Sequence, residues 1–161
     1  MEVNIVDNFF SNIKHQSLNE YCLNAQYVYG EVDSKNTPPT GMVHDIIPSV
    51  NEFIYNLIDS TIKSKCEQVD GMNLYRMYIN CFAPSERPYF HTDGNDGLTF
   101  LYYPNMEWDK DEGGETQFLT DRDIYGVIPL PNRMVFFNAD IWHRATSFRN
   151  NYRFTIAAKY R

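Results

Sequence analysis

The sequence is short of cysteine and histidine, and it has no long apolar run and no concentrated basic stretch. Its three cysteines, Cys22, Cys66 and Cys81, are odd in number, widely spaced and in no Cys-x-x-Cys arrangement. That pattern argues against a disulfide framework or a zinc ribbon and fits reduced thiols in a cytoplasm. No apolar stretch approaches the roughly 20 residues needed to span a bilayer, so no membrane association is expected. The start, Met1-Glu2-Val3-Asn4, lacks both the basic end and the continuous apolar segment of an export signal. A cytoplasmic location is the expectation. Lys and Arg total 14 against 21 Asp and Glu, a formal net charge of −7. Such a charge repels a phosphate backbone and argues against nucleic acid as a partner.

What is present suffices for one core. With 161 residues and 43% hydrophobic content, the chain can bury a single core without staples. We read residues 1–161 as one domain, with helical and loop support over 1–72 and a β-barrel core over 73–161. Twelve Tyr and eleven Phe recur mainly in short alternating runs, which predicts a mainly β protein. Apolar spacing from Ile5 to about Leu23 is closer to helical, and a strand is expected around Gln26 to Tyr29. Residues 31–48 contain Asp33-Ser34-Lys35-Asn36-Thr37-Pro38-Pro39-Thr40-Gly41 and read as a long loop. Asn51 to about Lys65 predicts an amphipathic helix with Phe53, Ile54, Leu57, Ile58 and Ile62 on one face. After Asp70-Gly71, short apolar runs at 73–82, 98–103, 115–119, 124–128, 133–137 and 152–160 alternate with turns. They read as strands of a sandwich or barrel buttressed by the helices.

Two polar constellations interrupt this pattern. His91-Thr92-Asp93 places two ligand-type side chains at i and i+2, on the same side of an extended segment. His143, about fifty residues later, could be a third ligand. Two imidazoles and one carboxylate on one face of an octahedral ion leave positions open, as non-haem Fe(II) oxygenases require. His-x-Asp alone is equally an ordinary surface pair, but the chain has four histidines and two stand here; His15 and His44 read as structural or solvated. Arg153 follows ten positions after His143, and alternation puts Arg153, Thr155 and Ala157 on one strand face. An arginine on an inward face beside small neighbours would need an anionic partner, and its planar fork suits a dicarboxylate. An arginine paired to a surface carboxylate is the plainer alternative.

These residues, with the segments around them, carry a family resemblance. Tyr89-Phe90-His91-Thr92-Asp93-Gly94, Tyr102-Tyr103-Pro104-Asn105-Met106-Glu107-Trp108-Asp109, Glu112-Gly113-Gly114-Glu115-Thr116, Trp142-His143-Arg144 and Arg153 resemble the Fe(II)/2-oxoglutarate-dependent dioxygenases. Within them the chain is most similar to the prolyl 4-hydroxylase group, in a phage or bacterial form. The resemblance covers 73–161, and Val6-Asp7-Asn8-Phe9-Phe10 is similar to the usual start of such a domain.

The resemblance implies a double-stranded β-helix, a cupin-like jelly roll, with Fe(II) held by His91, Asp93 and His143. It implies that Arg153 binds the distal carboxylate of 2-oxoglutarate and that the Tyr103 hydroxyl joins it. Beyond the metal ligands it implies no catalytic side chain. Phe82 stands where many relatives have a tyrosine, so Tyr78 and Asn80 on the same face are candidates for the missing polar contacts. Ala157 replaces a hydroxyl residue of some relatives. Gly113-Gly114 also reads as a plain hairpin turn. The implied reaction uses O2 and releases succinate and CO2, with ascorbate supporting activity. The expected enzyme is a monomer hydroxylating a prolyl residue of a peptide or protein, in a groove flanked by the 31–48 loop. A free amino acid, another small molecule, a nucleobase, or a metal-binding module without turnover stand as alternatives.

Overall fold

The computed structural model describes residues 2–161. In chain order the elements are β1 (Val3–Val6), α1 (Asn12–Asn24), β2 (Val28–Tyr29), β3 (Met42–Asp45), α2 (Glu52–Lys65), β4 (Leu74–Phe82), β5 (Leu98–Tyr103), β6 (Thr116–Leu119), β7 (Ile124–Val127), β8 (Arg133–Asn138), β9 (His143–Ala145) and β10 (Arg153–Tyr160). Seven strands form one sheet in the order β1-β8-β5-β10-β4-β3-β2, and three form another in the order β7-β6-β9. The ladders are antiparallel. The result is a mainly β jelly roll of two facing sheets, with the helices laid against the outside of the larger one.

β10 shows how the sequence divides these layers. All eight of its residues are buried, because β4 and β5 flank it and both of its faces are covered. Phe154, Ile156, Ala158 and Tyr160 join the cluster that contains Leu18 of α1 and Ile54, Ile58 and Ile62 of α2. Burial of each isoleucine contributes about 2 kcal/mol, so this stripe fixes α2 on the sheet. The alternate residues, Arg153, Thr155, Ala157 and Lys159, face the space between the sheets. There Ala157 packs with Tyr78, Leu101, Tyr103, Phe118 and Phe137.

Several expectations need correction. Residues 3–6 form a strand, not the start of a helix: Ile5 and Val6 pair with Val135 and Met134 at the edge of the large sheet. The helix begins at Asn12, where the Ser11 side chain accepts from the Lys14 amide, a serine N-cap. The 31–48 segment is not all loop, since β3 adds to β4 with Met42 opposite Cys81 and Asp45 opposite Tyr78. Phe53 does not share the buried stripe of α2 and is 74% exposed. It is adjacent in sequence to Ile54, and neighbouring residues are turned about 100° apart on a helix. His143–Ala145, anticipated only as the end of a run, is a strand paired to β6.

A candidate metal and co-substrate site

Ten strands bring together residues that lie far apart in sequence. His91 and His143 exchange backbone hydrogen bonds, His91 N to His143 O at 3.0 Å and His143 N to His91 O at 2.9 Å. The Asp93 amide donates to Ala139 O at 2.8 Å. Their ligand-type atoms all lie within 4.8 Å of one another. Asp93 Oδ1 is 3.8 Å from His91 Nε2, and Oδ2 is 3.5 Å from His143 Nε2.

The hydrogen bonds on the far side of each ring set its tautomer. His91 Nδ1 faces Tyr89 O at 3.0 Å, and His143 Nδ1 faces Ile141 O at 2.9 Å. A carbonyl only accepts, so Nδ1 carries the proton in both rings. Each Nε2 lone pair is then directed toward the shared space, as metal-bound imidazoles require. Burial, reinforced by His91 and offset in part by Asp93, pulls the His143 imidazole down to about 4, so it is neutral at physiological pH. Burial alone would raise the Asp93 carboxyl, but His143 and Lys159 outweigh it and hold the carboxyl below the usual range. Both groups are therefore in their ligating forms.

Asp93 is supported from both sides. Lys159 Nζ donates to Oδ1 at 2.7 Å, and Thr99 Oγ1 donates to Oδ2 at 2.7 Å. Asp33, from the segment read as a loop, accepts from the Tyr89 amide at 2.7 Å and stands 3.4 Å from His91 Nδ1.

A cavity of about 190 Å³ runs from this triad to Arg153. The Arg153 side chain is 2% exposed and donates from Nε to Gly114 O at 2.8 Å, from one terminal nitrogen to Thr155 Oγ1 at 2.7 Å and from the other to Thr116 Oγ1 at 2.8 Å. All three acceptors are neutral. A guanidinium has five N–H groups, so each terminal nitrogen keeps one to offer. The group is a buried cation with two N–H groups to spare, and burial draws its pKa down despite Tyr103 and Glu115. A cation in this state fits a carboxylate of an acid lodged in the cavity. The donor set at the triad fits a divalent iron.

The other anticipated residues sit as follows. Tyr78, Asn80 and Phe82 line the cavity along β4. Tyr103 is fully buried behind the wall, and its hydroxyl is shared with Thr116 Oγ1 at 2.7 Å. Thr116 Oγ1 thus links the Tyr103 hydroxyl to Arg153. Phe82 makes the wall apolar and packs with Trp108 and Phe148. Gly113 and Gly114 are more than a turn: Gly114, at φ +76°, supplies the carbonyl that holds Arg153, and a Cβ there would lie 2.8 Å from Trp108 Cζ2. His15 and His44 are structural, bonded to Tyr102 and to Tyr21 and Gln26 respectively.

Sequence reasoning missed Lys159, Thr116, Thr99 and Asp33. The alternation that placed Arg153 and Thr155 inward runs on to Lys159, so that signal was available; Asp33 had none.

Two imidazoles and a carboxylate on one face, with positions left open, are the donor set of a non-haem iron oxygenase, and here a jelly roll holds them with a buried arginine behind. The model of the 2OG-Fe(II) oxygenase superfamily matches residues 75–161, more than half of the chain, and the chain belongs to that superfamily. It is a 2-oxoglutarate-dependent dioxygenase, with Fe(II) as its metal and 2-oxoglutarate and O2 as co-substrates. No curated protein sequence matches the chain significantly. Among solved structures, a prolyl-4-hydroxylase from Pseudomonas putida superposes with a TM-score of 0.73 at 14% identity, covering 99% of this chain and 91% of that one. A prolyl hydroxylase from Trichoplax adhaerens, in complex with a hypoxia inducible factor oxygen degradation domain peptide, gives 0.72 at 18% identity over 98% and 82%. HygX from Streptomyces hygroscopicus, with nickel, 2-oxoglutarate and hygromycin B bound, gives 0.76 at 11% identity over 98% and 82%. At these identities the likeness is one of fold. Among the described residues no helix is long and apolar enough to cross a membrane.

Proposed function

We propose that this dioxygenase hydroxylates a prolyl residue of a peptide or protein, with Fe(II) held by His91, Asp93 and His143 and 2-oxoglutarate clamped by Arg153. When bound, the iron and 2-oxoglutarate supply the oxidation, with succinate and CO2 as by-products. The protein's own work is placement. Arg153 and Thr116 fix the far carboxylate of the acid, and the Phe82 wall keeps water from its chain. Asn80 and Tyr78 line the stretch between Arg153 and the metal ligands. No side-chain acid or base takes part in the reading. Ascorbate supports activity by keeping the iron reduced, and the enzyme works as a monomer.

The prolyl reading is carried by the surface beside the metal ligands. Tyr89, two residues before His91, is 47% exposed, and Trp142, next to His143, is 52% exposed. Exposed aromatic rings are the usual platform for proline-containing peptides, whose preformed extended backbone binds at low entropic cost. The likeness of fold to two prolyl hydroxylases supports the same choice. A small-molecule substrate is the second reading, favoured by the modest volume of the cavity. Incubation with Fe(II), 2-oxoglutarate, ascorbate and a panel of proline-rich peptides, followed by mass spectrometry, separates the two. The expected result is the gain of one oxygen atom on a proline. Turnover of 2-oxoglutarate with no oxygen added to any peptide would sink the prolyl reading.

A further inference from the structure

Lys159 is a buried charge that the reaction described above does not use. Its side chain is 9% exposed, and its one ion-pair partner among the described residues is Asp93. Tyr78 lies beside it, with the ammonium 5.1 Å from the ring centre. Its ladder neighbours are Arg76 on β4 and Thr99 on β5, neither of which offers a negative charge. A buried lysine is retained only when paired. In the metal-free protein Asp93 provides that pairing in full. Once a divalent ion binds, the same carboxylate serves two cations.

The two oxygens of Asp93 are unequally occupied. Oδ1 accepts from a cation and Oδ2 from a neutral hydroxyl. With one hydrogen bond to each oxygen, the carboxylate plane is fixed, and each oxygen keeps a lone pair toward the two imidazoles. A fixed positive charge on the same carboxylate also withdraws electron density from it and repels the incoming ion.

We propose that Lys159 is a positioning residue of the metal centre: it fixes the carboxylate plane of Asp93 and weakens the site's grip on a divalent ion, so that a bound iron would be electron-poor. The inference rests on the reading that His91, Asp93 and His143 hold the metal.

Mn(II) binding, followed by the resonance signal of the free ion, tests both readings separately. His143→Ala should lose binding; if it binds as wild type does, the ligand assignment fails whatever Lys159 does. Lys159→Met removes the charge and the hydrogen bond, whereas Lys159→Gln removes only the charge. A unit cation a few ångströms from a divalent ion still repels it in a screened interior, so both variants should bind Mn(II) about tenfold tighter or more. With Fe(II) and 2-oxoglutarate under anaerobic conditions, the visible charge-transfer band should move to lower energy in both, a change that loss of packing alone does not produce. Unchanged or weaker binding in folded variants, with an unmoved band, overturns the proposal. Should neither variant fold, wild-type protein carrying isotope-labelled lysine decides the matter. Zn(II) should shift the one slowly exchanging ammonium resonance, and an unshifted resonance overturns the proposal.

Discussion

Replacing Arg153 with methionine separates affinity from stability in opposite directions. The side chain keeps its unbranched apolar stem and loses its charged head. Arg153 lines the cavity with two N–H groups of its guanidinium unbonded, and each charge-assisted bond to a carboxylate is worth about 1.5–3 kcal/mol. Losing both costs about 3–6 kcal/mol, or roughly two to four decades in the dissociation constant of 2-oxoglutarate. The metal-free, acid-free protein responds differently. Three bonds to neutral oxygens are lost, about 1 kcal/mol each. Against this, a cation with no carboxylate partner no longer has to be kept from water, a penalty of several kcal/mol before pairing. These terms nearly cancel, so the unliganded variant should unfold within about 1–2 kcal/mol of wild type. Calorimetric titration of the Mn(II)-loaded protein with 2-oxoglutarate reads the first quantity, and urea unfolding reads the second. Thermal denaturation joins them. At a hundredfold excess of acid over its dissociation constant, wild type gains about 2.7 kcal/mol by linkage, while the variant at the same concentration gains almost none. Undiminished affinity would refute the clamp. A loss above about 3 kcal/mol in the unliganded protein, the range seen when one member of a buried pair is removed, would show that Arg153 is a pillar of the fold and not a site held ready for an anion.

Two further outcomes follow from the same geometry. Gly114→Ala forces a residue with φ +76° to carry a Cβ 2.8 Å from Trp108 Cζ2 and 3.4 Å from Arg153 Cδ; left-handed backbone alone costs about 1–2 kcal/mol, so urea unfolding should show at least that loss and KM for 2-oxoglutarate should rise, and an unchanged KM would detach Gly114 from the clamp. Burial lowers His143 from 6.5 to about 4, so its neutral form stabilises the fold fully above pH 6.5, and that stability of about 3 kcal/mol should be lost as pH falls from 6.5 toward 4 in the metal-free protein, with Asp93 adding a further loss at lower pH; a flat urea-unfolding stability over that window would contradict the burial of a neutral imidazole.

Much of this site was legible because strands write their two faces into alternate letters. Arg153 and Thr155 stand out on β10 because Phe154, Ile156 and Ala158 define the opposite face. The same alternation reaches Lys159, yet a lysine near a strand end ordinarily reads as solvated, and only the ion pair with Asp93 reverses that. The N-terminal strand was misread for a related reason. Val3–Val6 is too short to declare its own period, and its conformation is decided by β8, more than a hundred residues away, so tertiary pairing overrode the local pattern. Asp33 lay beyond reach altogether, since nothing near it in sequence marks a turn back toward His91. The metal triad shows the same division within a single feature. His91 and Asp93 share a side because of a local rule, whereas His143 joins them through backbone hydrogen bonds across fifty residues, a contact that no local pattern encodes. Local rules thus supplied the ligand types and half of their geometry. The remaining half comes from the closure of the two sheets, which is why the supporting groups, Thr99 on β5 and Lys159 on β10, arrive at Asp93 from strands that the motif itself does not touch.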